Sequence, residues 1–479
     1  VKEVLENLPD IIKASSESSL GVVALMLILF SALSWGFFRR SSEKWKVTSL
    51  AMFFLGCILF GYTAFKTSQD SLVFNTATPT NTNLTSSLSN WVQEAEAARK
   101  AKTISSTSPL PVDLVSTRNQ FEKDWRNSSL NERKKLDVEM AYKALSYANR
   151  LYRVVEADSS VKTNAVYWAN ESIRFFEEIQ DPKYLTEALI DKAALYLDIS
   201  QLGHNDKQQF EEVAKDGDAV MTRAFKTADV DQQAIVLRIS SRFYYNLARP
   251  ASFRLSDDWD NNYLLLAYEK ALKAFNLSPE DSKSANQLAR VTIKASKNPP
   301  QDIDPAWTEK LRNSKEKLKE AWIQSQASRT DSLERLSPLN VLGVVTLETV
   351  SREWQELNLE QRRTASGKYR DELEEDSIAP LREAAALLNN TQLRKAYGFD
   401  IYYDIARAHS VKTDVVRQIS EPQSIGAFSE VKKNLATAKE NAKTSQLEAS
   451  VKDISNEITF SFLSPIEKEE LKNVLSIGL

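Results

Sequence analysis

Two runs of apolar residues, 20–38 and 47–65, carry no charged side chain and stand apart from everything else in the chain. Each is about the length that spans the hydrocarbon core of a bilayer, and eight residues rich in charge separate them, which predicts a transmembrane helical hairpin within 19–66. Ahead of it, Val1, Val4, Leu5, Leu8, Ile11 and Ile12 share one helical face, with Pro9 kinking the segment, so 1–18 reads as an amphipathic stretch lying against the membrane. From 67 to 90 Ser, Thr and Asn crowd out any helical or strand period. The span 67–117 therefore reads as a flexible linker, with a short helix from Trp91 to Lys102 ended by Ser108-Pro109-Leu110-Pro111.

Beyond the linker a 3.6-residue period runs almost unbroken. It predicts helices over 118–129, 131–156, 161–179, 182–200, 206–227, 230–248, 258–277 and 280–297. Their breaks fall at Asp181-Pro182, Gly203-His204-Asn205-Asp206, Arg249-Pro250 and Asn298-Pro299-Pro300. After Pro300 the pattern stays helical over 307–336, 339–357, 379–388 and 392–409. Two more amphipathic segments carry Val431, Leu435, Ala438 and Ala442, then Val451, Ile454 and Ile458. The expected class is all-α, with a helical region at 118–300 and a further C-terminal helical domain at 301–479.

Within 135–297 the helices pair in a recurring way. Ala267, Ala271 and Ala274, followed by Pro279, put small residues on one helical face and a proline just after it. Val236, Ile239, Ser240 and Phe243 give the preceding helix a matching small position. Ile190, Ala193, Ala194 and Leu197 repeat that spacing, and Ala169, Ile173 and Phe176 precede Asp181-Pro182. This arrangement resembles tetratricopeptide repeats, in which two antiparallel helices pack through small residues and a proline closes the second. The resemblance implies an α-solenoid whose stacked hairpins form a superhelix with a concave, protein-binding surface. Ala194 and Ser240 lie farther apart than one standard repeat, and the family's Trp and Gly positions are mostly unmatched; an α-solenoid of another family carries the same periodicity.

Charge sets the expected orientation. Arg39, Arg40, Lys44 and Lys46 fill the connection between the two apolar runs, and the positive-inside rule places that connection in the cytoplasm. The large C-terminal domain is then expected on the periplasmic or extracytoplasmic side. Ala32 and Gly36 form a small-xxx-small pair that lets helices approach closely in the membrane. Neither run holds an ionisable residue that a proton relay would need. For the whole chain a formal net charge of −3 gives no basic field for nucleic acid.

Candidate chemistry is thin. The one cysteine, Cys57, lies inside an apolar run, and the two histidines, His204 and His409, are placed in a turn and at a helix end, which does not favour a triad or a zinc cluster. No glycine-rich phosphate loop occurs, and Ser41 with Lys44 matches a Ser-x-x-Lys spacing by chance. Asp258, Asp260, Asn262 and Glu269 have EF-hand spacing, but Tyr263 stands where that loop needs glycine, so Asp257 or Asp258 is expected to cap the helix instead. The acidic run 371–376 reads as a solvated helix end before Pro380. No cofactor, metal or catalytic residue is assigned. The expectation is a non-enzymatic scaffold or adaptor, anchored in the lipid bilayer, that docks protein partners in a homo- or hetero-oligomeric complex. An oligomerising, membrane-perturbing or channel-forming effector is the alternative, and a helical hydrolase a third.

Overall fold

The computed structural model describes residues 83–101, 110–159, 162–202, 206–250, 259–297, 307–325, 332–388 and 391–476. Every regular element among them is helical, so the all-α expectation holds. None of these helices is long and apolar enough to cross a membrane. The apolar runs 20–38 and 47–65, the amphipathic segment 1–18, the pair Ala32 and Gly36, the basic residues Arg39, Arg40, Lys44 and Lys46, and Cys57 lie outside the described residues.

Two layers of helices stack in chain order. One layer, here A, contains α1 (Asn83–Lys100), α4 (Val138–Val155), α6 (Pro182–Ile199), α8 (Val230–Leu247), α10 (Ser282–Lys297) and α12 (Ser332–Glu356). The other, B, contains α2 (Val112–Asn127), α5 (Thr163–Glu178), α7 (Lys207–Thr227), α9 (Asn261–Leu277) and α11 (Trp307–Ser325), and a single turn, α3 (Leu130–Arg133), links α2 to α4. Each A helix before α12 packs on its following B helix and on the next A helix, and the B helices from α5 on also touch the A helix after them.

Short polar side chains set the helix starts. Asp137, Asp181, Asp206 and Asp229 each accept a backbone N–H in the first turn of the helix that follows, satisfying donors that the helix itself leaves open. At α9 the cap is Asp260, whose carboxylate accepts from the N–H groups of Asn262 at 3.0 Å and Tyr263 at 3.2 Å. That corrects the expectation of Asp257 or Asp258, and the helix begins at Asn261 rather than 258. Ala267, Ala271 and Ala274 are fully buried where α9 meets its neighbours, and Pro279 sits exposed in the turn before α10. At Gly217 in α7 a Cβ would overlap the Phe243 ring of α8, so glycine is required there by the close approach of the two helices.

The layer begins earlier than the polar composition implies. Helix α1 starts at Asn83, inside the stretch expected to be a tether, and α2 starts at Val112 rather than 118. Leu88, Trp91, Val92 and Ala95 recur on one face of α1 and are buried, while Ser, Asn, Gln and Glu fill the outer face. Trp91 stacks on Phe121 at 6.3 Å between ring centroids, and Phe121 lies 5.6 Å from Trp168. The Trp91 indole N–H donates to the Ala144 carbonyl at 3.0 Å. The segment is thus part of the core.

After the stack come α13 (Leu359–Glu372), a π-helical turn (Leu373–Ile378), α14 (Ala379–Ala386), α15 (Thr391–Arg417), α16 (Glu421–Glu440), α17 (Thr444–Asn456), α18 (Ile458–Ser461) and α19 (Pro465–Leu475). Helices α15 and α16 form a long hairpin, closed by α17 to α19 around Val431, Leu435, Ile454, Phe460 and Leu471. Two expected breaks are absent. Helix α12 runs through Pro338, because Leu336, Leu339 and Leu342 on either side are buried in one cluster; that packing outweighs a lost backbone bond, which costs about 3 kcal/mol in a helix interior. The acidic run does not end a helix before Pro380 either: the wider π turn carries the chain into α14, shifting the carbonyls that a proline ring would strike. Three of its carboxylates are paired, Glu372 and Asp376 with Lys315 at 2.7 and 3.1 Å and Glu374 with Arg382 at 3.1 Å and Lys412 at 2.5 Å, while Asp371 and Glu375 are exposed.

Candidate functional site

Adjacent A helices are joined by polar contacts between residues some forty to fifty positions apart. Ser146 donates to Asp191 at 2.6 Å, Gln232 to Glu187 at 3.0 Å, Asn246 to Ser200 at 3.1 Å and Gln287 to Ser241 at 3.1 Å. Asn286 reaches Ser337 at 3.0 Å, and Arg352 the Ser296 carbonyl at 2.6 Å. Together these bonds fix the register of α4, α6, α8, α10 and α12 and present their remaining side chains on one side of the layer.

On that side the charge is uneven. The carboxylates of α6 are occupied: Asp191 takes Arg150 at 3.0 Å, and Asp198 takes Arg153 at 2.7 Å. Arg238, Arg242 and Tyr245 of α8 and Arg249 just past its end follow a single stripe, and on α10 Asn286, Arg290, Lys294 and Lys297 do the same. Arg238 is engaged by Asp281 of the turn before α10. Arg242 and Arg290 are exposed, and among the described residues no carboxylate pairs with either. Partial burial, then the neighbouring Arg290 and Arg238, push the Arg242 guanidinium below its ordinary value, a sign of how much like charge has gathered there. It stays charged at any physiological pH.

Aromatic surface adjoins the arginines. The Tyr245 and Trp259 rings meet at 5.1 Å, the Lys294 ammonium lies 4.2 Å from the centre of the Trp259 ring, and the Arg249 guanidinium lies 5.8 Å from Tyr245. Burial raises the Tyr245 phenol, and the positive charges of Arg290, Arg249 and Lys297 pull it back. Arg, Tyr and Trp are the residue types that dominate the energetics of protein interfaces. No protein-family model matches this chain, and neither does any curated protein. The stripe itself is readable in the sequence as basic residues at i, i+4 and i+11 in one predicted helix and i, i+4 and i+7 in another. That the two helices lie side by side is not.

Where the stack ends, a buried ion network ties it to the C-terminal helices. Glu348 of α12 takes Lys297 of α10 at 2.9 Å and Arg407 of α15. Arg407 also reaches Asp404 and Glu457, both at 2.7 Å. Burial opposes ionisation of Glu348, yet Lys297 and Arg407 hold its carboxyl down at about 2. For Asp404 burial wins over Arg407, and its carboxyl rises to about 6. Of the network's buried side-chain atoms, one Glu348 oxygen lacks a partner among the described residues, and the network serves as a joint between two helical regions.

His409, expected at a helix end, sits inside α15 and is buried, whereas His204 and Asp258 lie outside the described residues. Glu269 is exposed two turns beyond the α9 cap. Among the described residues no three histidine, cysteine or carboxylate side chains are placed to hold a metal ion.

Proposed function

We propose that the chain is a membrane-tethered helical-repeat scaffold whose A-layer face docks an acidic segment of a protein partner. The carrying observation is the exposed pair Arg242 and Arg290 on adjacent A helices, without carboxylate partners among the described residues, next to the paired rings of Tyr245 and Trp259. An extended acidic segment satisfies both guanidiniums with charge-assisted hydrogen bonds and covers the half-buried rings. The alternation of A and B helices supports the tetratricopeptide-like reading. Successive A helices begin at residues 138, 182, 230 and 282, longer than that family's period of about 34 residues, so the repeats are enlarged ones. Residues 20–38 and 47–65 are the tether in this reading, with the docking domain on the extracytoplasmic side.

The test is partner recovery from native membranes in mild detergent, quantified by mass spectrometry for the wild type and for Arg242→Glu/Arg290→Glu. Both residues are exposed, so the double variant is expected to keep the wild-type melting temperature while losing its partner by tenfold or more. Undiminished recovery with a reversed charge stripe removes the proposed face.

A further inference from the structure

A second cationic site lies away from the A-layer face, where α13, the π turn, α14, α15 and α16 converge. An open pocket of about 410 Å³ is lined by Arg370 of α13, Arg382 of α14, and His409 and Lys412 of α15. Its far wall is α16, with Gly426, Ala427 and Glu430. That volume is in the range of small-molecule sites. Gly426 leaves it open, since a Cβ there would meet no atom within 4 Å.

The lining carries more cations than carboxylates: Arg370, Arg382 and Lys412 against Glu430. Glu374 spans Arg382 and Lys412 with its two oxygens, at 3.1 and 2.5 Å. Arg370 is held by its neighbour Asp371 at 2.7 Å. His409 lines the same pocket, 2 % exposed, with Arg382 Nη2 3.4 Å from its Nε2. Three cations converging on one pocket are complementary to an oxyanion.

We propose that this pocket binds a phosphoryl-bearing small molecule, its oxygens taken by Arg382, Lys412 and Arg370, its less polar part lying against Val416 and Ala427. A dianionic tetrahedral head accepts from several donors at once, and planar fork-shaped guanidiniums suit it. Glu374 stays between Arg382 and Lys412 and limits the site to one such head. The site lies apart from the arginine stripe, so ligand binding here and protein docking there are separable.

The chain has two histidines, so His409 is its own reporter. Burial, then Lys412 and Arg382, against Glu374 and Glu430, hold its imidazole down at about 4. The experiment titrates ring-labelled histidine in the full chain in detergent by NMR, with His204→Gln for assignment, in the presence and absence of inorganic phosphate. Bound phosphate offsets the two cations, so the His409 midpoint is expected to rise by about one unit, a tenfold gain in proton affinity, with no change at His204. Acetate at equal ionic strength is expected to leave it in place. Gly426→Phe, which fills the pocket, and Arg382→Gln, which removes a donor, are each expected to abolish the response. A midpoint indifferent to phosphate, an equal response to acetate, or a response that survives both substitutions overturns the proposal.

Discussion

Asp404 and His409 are five residues apart on α15, and burial moves them in opposite senses. The Asp404 carboxyl is raised to about 6, so the folded chain takes up a proton that the unfolded chain does not between roughly pH 4 and 6. From this group, stability grows as pH falls through that window. His409 is depressed to about 4, so below its ordinary value of 6.5 the unfolded chain binds a proton that the folded chain refuses. From that group, stability is lost as pH falls from 6.5 toward 4. Each is worth on the order of 2–3 kcal/mol across its window, and in the wild type the two nearly cancel. Asp404→Asn, which keeps an oxygen for Arg407, is expected to leave the chain losing stability relative to wild type between pH 7 and pH 4. His409→Gln is expected to do the reverse. Urea unfolding of both variants at several pH values reads the two slopes; profiles parallel to wild type in both would contradict the burial of these groups.

At the scale of elements, the first A helix is the instructive one. A polar string around Thr76 and Asn83 hides a helix whose apolar residues number only one or two per turn, since its inner face is narrow and its outer face is Ser, Asn, Gln and Glu. Composition therefore reads as linker where packing makes a core element. Trp91→Ala is expected to cost about 3–5 kcal/mol, as for other buried tryptophans, with Trp91→Phe costing less; the unfolding free energy from urea titration measures both. A loss under about 1 kcal/mol would return the segment to linker. The periodic helices between 161 and 297 were legible within a few residues, because Asp and Pro punctuate their starts and alanine marks their contacts, whereas the expected helix 131–156 is split into a turn at Leu130–Arg133 and a helix from Val138. The π turn at Leu373–Ile378 was not, since Pro380 after an acidic run carries the ordinary signal of a helix end. Only the Lys315, Lys319 and Lys412 side chains, brought from α11 and α15, explain why the chain continues.

For the whole molecule, the helical class was visible along the chain, but the docking face and the anion pocket were not. Arg242 and Arg290 come from helices whose pairing is fixed by Gln287 on Ser241, a contact between neutral polar residues with no periodic signature. Likewise Arg382 and His409 meet only because α14 packs against α15. The layered order gives the account its one directional claim: partners meet the A layer and not the B layer. A photo-crosslinking amino acid placed at Arg242 or Arg290, and as a comparison at the exposed B-layer position Lys273, reads that claim in intact membranes. The expected result is one common protein adduct from both A-layer positions and none from Lys273. Equal crosslinking from both layers, or adducts from Lys273 alone, would contradict it.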